Sequence, residues 1–211
     1  HAPFNASFSK DFPLKGEIAF LSQSGALCLA ILDWSLTEGI GFSKFVSLGN
    51  KADLNEVDFI RDAADDDYSK VVLCYLEDVV DGQQFLEVVG QASRRTPVVI
   101  LKSGTSQAGT RAASSHTGAL AGSDMAYDLA FDRTGVLRAA NMEELFDLAM
   151  VFTTQPTPKG DRVAIVTNSG GPGIIATDRI EGLGLTMARF ERDTIESMRA
   201  GLPATANLYN P

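Results

Sequence analysis

The chain has 211 residues, of which 45% are apolar and 21% charged, with a formal net charge of −9. That balance is ordinary for a globular protein of one large domain, or one domain with part of another, and the acidic charge argues against a general nucleic-acid binder, which needs a basic face. No run approaches the roughly 18 apolar residues of a membrane span, and residues 1–16 have no apolar signal core, so a cytoplasmic protein without a membrane segment is expected.

From Gly16 onward, short apolar runs alternate with helical patterns. Residues 17–22 (EIAFLS) predict a strand, and 24–36 (SGALCLAILDWSL), apolar on most sides, predict a buried helix. A second strand is expected over 44–48 (KFVSL), and Val57, Phe59, Ile60 and Ala63 or Ala64 recur at helical spacing over 56–64. Asp65, Asp66 and Asp67 read as a solvated helix end. The run 71–76 (VVLCYL) lacks alternation, as in a strand covered on both faces. A helix over 82–94 presents Phe85, Val88, Val89 and Ala92 on one side; a strand at 97–102 (PVVILK), a helix at 123–133, a short strand at 136–138 and a helix at 142–152 follow. Cys28 and Cys74 sit in apolar runs and read as reduced core thiols.

Such alternation implies βαβ units and a parallel sheet, with right-handed crossovers that place helices on both faces. The expected fold is therefore α/β: a flavodoxin-like, doubly wound domain over 16–155, with function at the carboxyl ends of the strands. Residues 156–160 (PTPKG) read as a linker. The pattern then restarts with a strand at 162–167, a helix at 172–181, a strand at 185–190 and a helix at 193–200. Two such units make a poor independent fold, so 161–211 reads as the beginning of a second α/β domain.

Three stretches carry the candidate chemistry. Ser22-Gln23-Ser24-Gly25 lies between the first strand and its helix, and Thr167-Asn168-Ser169-Gly170-Gly171-Pro172-Gly173 occupies the equivalent place in the second domain. A helix start has free N–H groups and a partial positive charge, and small residues let an anion reach them. Neither turn is a P-loop, since no Lys follows the glycines; the alternative is a tight strand–helix turn with an ordinary Ser cap. The third stretch, 102–124, is a long run rich in Gly, Ala, Ser and Thr that holds His116, the one internal histidine. Long loops inside compact domains are commonly functional; the alternative is a solvated loop histidine. His1 reads as a cloning or cleavage remnant.

The runs GEIAFLSQSGAL (16–27), VSLGNKAD (46–53) and above all SSHTGALAGSD (114–124) resemble the nucleoside-diphosphate-forming acyl-CoA synthetases, relatives of the α subunit of succinyl-CoA synthetase. The resemblance covers nearly the whole chain. It implies interconversion of acyl-CoA, phosphate and ADP with carboxylic acid, CoA and ATP. His116 falls at the histidine that becomes phosphorylated, and Glu77 at the acid that holds its imidazole. Ser22, Ser24 and Gly25, with Asn168, Ser169, Gly170 and Gly171, fall at two helix starts facing the phosphoryl group. Lys102 and Arg111 are secondary candidates, read first as surface or strand-end charges. Residues 1–15 resemble an interdomain linker after a CoA-binding domain. CoA, ADP/ATP and Mg²⁺ are expected to bind mostly outside this stretch, in that domain and in an ATP-grasp domain or β subunit, within an oligomer. No metal site is expected here, and the chain alone is expected to be inactive. The rival reading is a regulatory module of the same architecture, as in protein acetyltransferases fused to an acyl-CoA synthetase-like region.

Overall fold

The computed structural model describes residues 12–49, 51, 53–106, 108–109, 111 and 124–210. His116 and the surrounding 112–123 lie outside the described residues, as do 1–11. The chain divides after Pro156 into two compact units.

In the first unit, β1 (Leu14–Ser22), β2 (Gly41–Ser47), β3 (Val71–Leu76), β4 (Val98–Lys102) and β5 (Leu137–Arg138) form one sheet in the order β2-β1-β3-β4-β5. Every neighbouring pair is parallel. Helices α1 (Gly25–Glu38), α2 (Glu56–Ala64), α3 (Gly82–Ala92), α4 (Asp124–Thr134) and α5 (Met142–Thr154) alternate with the strands. The alternation of side chains along each strand divides the core in two. Ala19, Leu21, Val72, Cys74, Leu76, Val98 and Ile100 pack on Val57, Ile60, Phe85, Val89 and Phe131 from α2, α3 and α4. Ile18, Phe20, Val71, Leu73 and Val99 pack on Cys28, Ile31, Leu145, Phe146 and Ala149 from α1 and α5. The expected doubly wound, flavodoxin-like sheet is the observed one. Its strand order reverses at β1, whose neighbours are β2 and β3, the kind of switch point at whose carboxyl edge such folds bind ligands.

Local chemistry sets the helix starts. Ser24 caps α1 through the Leu27 N–H, Asn55 and Asp58 form a reciprocal capping box on α2, and Asp81 caps α3 through the Gln83 and Gln84 N–H groups. Gly39 ends α1 in the left-handed conformation, with φ 70°.

Three sequence expectations need correction. First, β1 and β2 begin at Leu14 and Gly41, earlier than their apolar runs. Gly16 and Gly41 let the two backbones approach so closely that a Cβ on Gly16 would stand 2.3 Å from the Gly41 carbonyl carbon. Hydrophobicity gives no sign of such a contact. Second, α1 is not buried all round. It buries Cys28, Ile31, Leu32 and Ser35, while Leu29 and Trp34 remain exposed. Third, Asp66 is not solvated: its carboxylate lies 3.1 Å from Lys44 Nζ and accepts the Tyr68 N–H.

In the second unit, β6 (Arg162–Val163) and β7 (Thr186–Met187) pair in parallel, with α6 (Gly170–Gly182) and α7 (Arg192–Gly201) following them. Both strands are shorter than the apolar runs 162–167 and 185–190 suggest. Beyond the ladder, a side chain takes over the pairing. Asn210 Oδ1 accepts the Ile165 N–H at 2.9 Å, and its Nδ2 donates to the Val163 and Ala188 carbonyls, each at 2.9 Å. Val166 is 98% exposed.

Candidate active site

The first strand–helix turn is built by hydroxyls. Ser22, fully buried, donates through Oγ to the Ser24 carbonyl (2.9 Å) and accepts the Ser24 N–H (3.0 Å). Ser24 in turn accepts the Leu27 N–H at 3.3 Å. The Ser22 hydroxyl is thus spent on shaping the turn. The N–H groups of Gly25 and Ala26 belong to the first turn of α1, where no intrahelical acceptor exists. Room remains at Gly25, where the atom nearest to a Cβ position is Ser47 Oγ at 3.6 Å.

The second turn repeats this design. Thr167 Oγ1 donates to the Ser169 carbonyl (3.1 Å) and accepts the Ser169 N–H (3.0 Å). One difference has a chemical cause. Ser169 is the N-cap of α6 but makes no side-chain capping bond. The residue three positions on is Pro172, which has no N–H to give. Ser169, Gly170 and Gly171 are all exposed, and beyond the chain neighbours and the helix's own backbone no atom lies within 4 Å of a Cβ position at either glycine. Asn168 is exposed in the same turn.

Glu77 follows β3 directly, at the carboxyl end of the sheet next to the Ser22–Gly25 turn. The two segments are tied together: Gln23 Oε1 accepts the Glu77 N–H (2.6 Å) and the Asp78 N–H (3.1 Å), and Gln23 Nε2 donates to the Asp78 carbonyl (2.9 Å). Behind this loop, Lys51 pairs with the Asp78 carboxylate and lies 3.3 Å from Glu56. Lys51 has φ 54°, a left-handed backbone that costs an ordinary residue about 1–2 kcal/mol. Gln23, Lys51, Glu56 and Asp78 were not among the residues singled out from the sequence. Gln23 lay inside a noticed motif, but its partners are too distant in the chain to leave a local pattern.

Lys102 ends β4, in keeping with its reading as a strand-end charge, but it is buried and not on the surface. Its Nζ sits 4.5 Å from the Tyr127 ring centroid and donates to the Ser103 carbonyl. Desolvation holds its pKa below the usual lysine value, against the opposing fields of Asp124, Asp78 and Glu77. Arg111 is exposed. Ser22, Ser24, Gly25 and Glu77 therefore share one edge of the first unit, whereas Asn168, Ser169, Gly170 and Gly171 share one turn of the second. Among the described residues, no group of three or more His, Cys, Asp or Glu could hold a metal ion, and no helix is long and apolar enough to cross a membrane.

A doubly wound parallel sheet with polar turns gathered at its carboxyl edge defines a flavodoxin-like α/β protein. Residues 15–152 match the succinyl-CoA ligase like flavodoxin domain, and the chain belongs to that family. It is 52% identical over 207 residues to acetate–CoA ligase (ADP-forming) I of Archaeoglobus fulgidus, covering 98% of this chain and 30% of that protein. It is 47% identical over 211 residues to the α subunit of acetate–CoA ligase (ADP-forming) II of Pyrococcus furiosus, covering all of this chain and 46% of that one. A solved structure of dinucleotide-forming acetyl-coenzyme A synthetase 1 from Candidatus Korarchaeum cryptofilum, in complex with phosphate and ADP, superposes with a TM-score of 0.87 at 38% identity, covering 96% of this chain and 44% of that one. The chain thus spans less than half the length of these relatives.

Proposed function

We propose that this chain is the phosphohistidine-bearing part of an acyl-CoA ligase that interconverts acyl-CoA, phosphate and ADP with a carboxylic acid, CoA and ATP. Phosphate displaces CoA from the thioester and gives an acyl phosphate. A neutral imidazole nitrogen of His116 then attacks phosphorus, the bond from phosphorus to the acyl oxygen breaks, and the carboxylate leaves. The other imidazole nitrogen keeps its proton and donates a hydrogen bond to the Glu77 carboxylate, which fixes the ring and steadies the positive charge it gains. A terminal oxygen of ADP next attacks phosphorus, the N–P bond breaks, and ATP forms.

One observation supports this most directly: Glu77 stands at the carboxyl end of β3 beside the amino terminus of α1, with Gln23 joining the two. A carboxylate for the imidazole and N–H donors for the phosphoryl oxygens thus belong to one rigid edge. We assign Ser24 and Gly25 to the phosphoryl oxygens there, with Ser22 shaping the turn. Asn168, Ser169, Gly170 and Gly171 are assigned to a second phosphoryl-binding helix start, that of the second unit. In phosphoryl transfer the protein's task is mainly to orient and to neutralise charge, and helix starts suit that task. CoA, the nucleotide and its Mg²⁺ are assigned to other parts of the assembly, either in the same polypeptide or in a partner subunit.

Labelling tests the proposal. The complete enzyme, incubated with ATP labelled in its γ-phosphate and Mg²⁺, gains acid-labile, base-stable phosphate, and His116→Asn gains none. An unlabelled wild type favours the regulatory module instead, and equal label in His116→Asn overturns the assignment of His116.

A further inference from the structure

The loop at residues 77–80 carries Glu77 but belongs to no strand or helix. Its backbone N–H groups still require acceptors, and side chains from other elements supply them. Gln23 takes the N–H groups of Glu77 (2.6 Å) and Asp78 (3.1 Å) and returns a hydrogen bond to the Asp78 carbonyl at 2.9 Å. Glu56, with 0% of its surface exposed, takes the Val80 N–H through Oε1 at 2.8 Å. Its Oε2 accepts no hydrogen bond from the described residues, and Lys51 Nζ lies 3.3 Å away. Lys51 in turn pairs with Asp78.

A neutral amide suits what Gln23 does. It must accept from two N–H groups and donate to a carbonyl, and Gln has both functions at the end of a side chain of this length. A Glu at that position would keep the acceptors, lose the donor, and bring a negative charge to Glu77 and Asp78. A Met would fill the same space with neither function.

From this we infer that Gln23 is a positioning residue, which sets the spacing between the Ser22–Gly25 helix start, proposed to serve the phosphoryl group, and the Glu77 backbone, whose side chain is proposed to hold the imidazole. The inference rests on the proposed pairing of Glu77 with His116. Gln23 acts through Glu77 and touches no substrate.

A double-mutant cycle on the complete enzyme tests it, with single-turnover phosphorylation by labelled ATP as the readout. Gln23→Met slows phosphorylation about tenfold or more with little change in the KM for ATP, and Glu77→Gln slows it further; combining Gln23→Met with Glu77→Gln adds less than about threefold, because the two act as a unit. Gln23→Glu falls between wild type and Gln23→Met, and should Gln23→Met fail to fold, Gln23→Glu completes the cycle. A full multiplicative loss in the double variant overturns the inference, since it marks a general structural role. A wild-type rate in Gln23→Met overturns it while leaving Glu77 in place. A wild-type rate in Glu77→Gln removes Glu77 from the mechanism and this inference with it.

Discussion

Asp66 shows how one side chain departs from what its neighbours in sequence suggest. Burial raises its pKa, but the Tyr68 N–H and the Lys44 ammonium outweigh that and hold it below the ordinary carboxylate value. A carboxyl depressed in the folded state stabilises the protein above its unfolded pKa and loses that contribution as pH falls through the folded one. Asp66→Asn therefore lowers stability at neutral pH, and the loss fades below about pH 4; urea midpoints of wild type and variant, separated at pH 7, converge in acid. Nothing in the run Asp65-Asp66-Asp67 marks the middle residue, because Lys44 lies far back in the chain, on β2. Ser24 is the opposite case: a Ser just before an apolar helical run is legible as a cap. Gln23, one residue earlier, is not, since its meaning depends on a loop more than fifty residues away. His116 stands out by composition alone, in a long stretch of small residues. For Glu77 the sequence offers a strand end, and the role proposed for it comes from family resemblance.

Among the elements, β3 and β4 are plain in the sequence because strands buried on both faces are continuously apolar. The starts of β1 and β2 are hidden, because what permits them is the absence of side chains at Gly16 and Gly41. That contact makes a prediction at this scale. Gly16→Ala forces the two strands apart where a Cβ would meet backbone at 2.3 Å, and it destabilises the protein by about 1–3 kcal/mol or more, as overpacking does. A lowered urea midpoint measures the loss. Were the stability of Gly16→Ala unchanged, the close approach of β1 and β2 would be wrong. α1 misleads in the other direction: its apolar surface is wider than the face it buries, so composition overstates its burial. The second turn carries a similar lesson. Ser169 looks like a cap by position, yet Pro172 removes the N–H it would cap, and the hydroxyl is left for another partner.

At the scale of the molecule, the two units differ in how much they bury. Apart from Leu208, every buried apolar side chain among the described residues belongs to the first unit. The second has a two-stranded sheet and exposes Val166, Ile174, Ile175 and Leu183. Expressed separately, 12–156 should unfold cooperatively on heating, whereas 157–211 should show no cooperative transition by circular dichroism, because a two-stranded sheet is marginal in water. The tie made by Gln23 has a further consequence, for the order in which the protein matures. Its two donors and one acceptor lie 54 and 55 residues downstream, so a nascent chain that has emerged only as far as α1 holds the helix start without its brace. The brace closes only after β3 has been synthesised and has slotted in beside β1, a step that must first meet the entropy of closing a long loop. The geometry of this edge is thus set only when β3 joins the sheet.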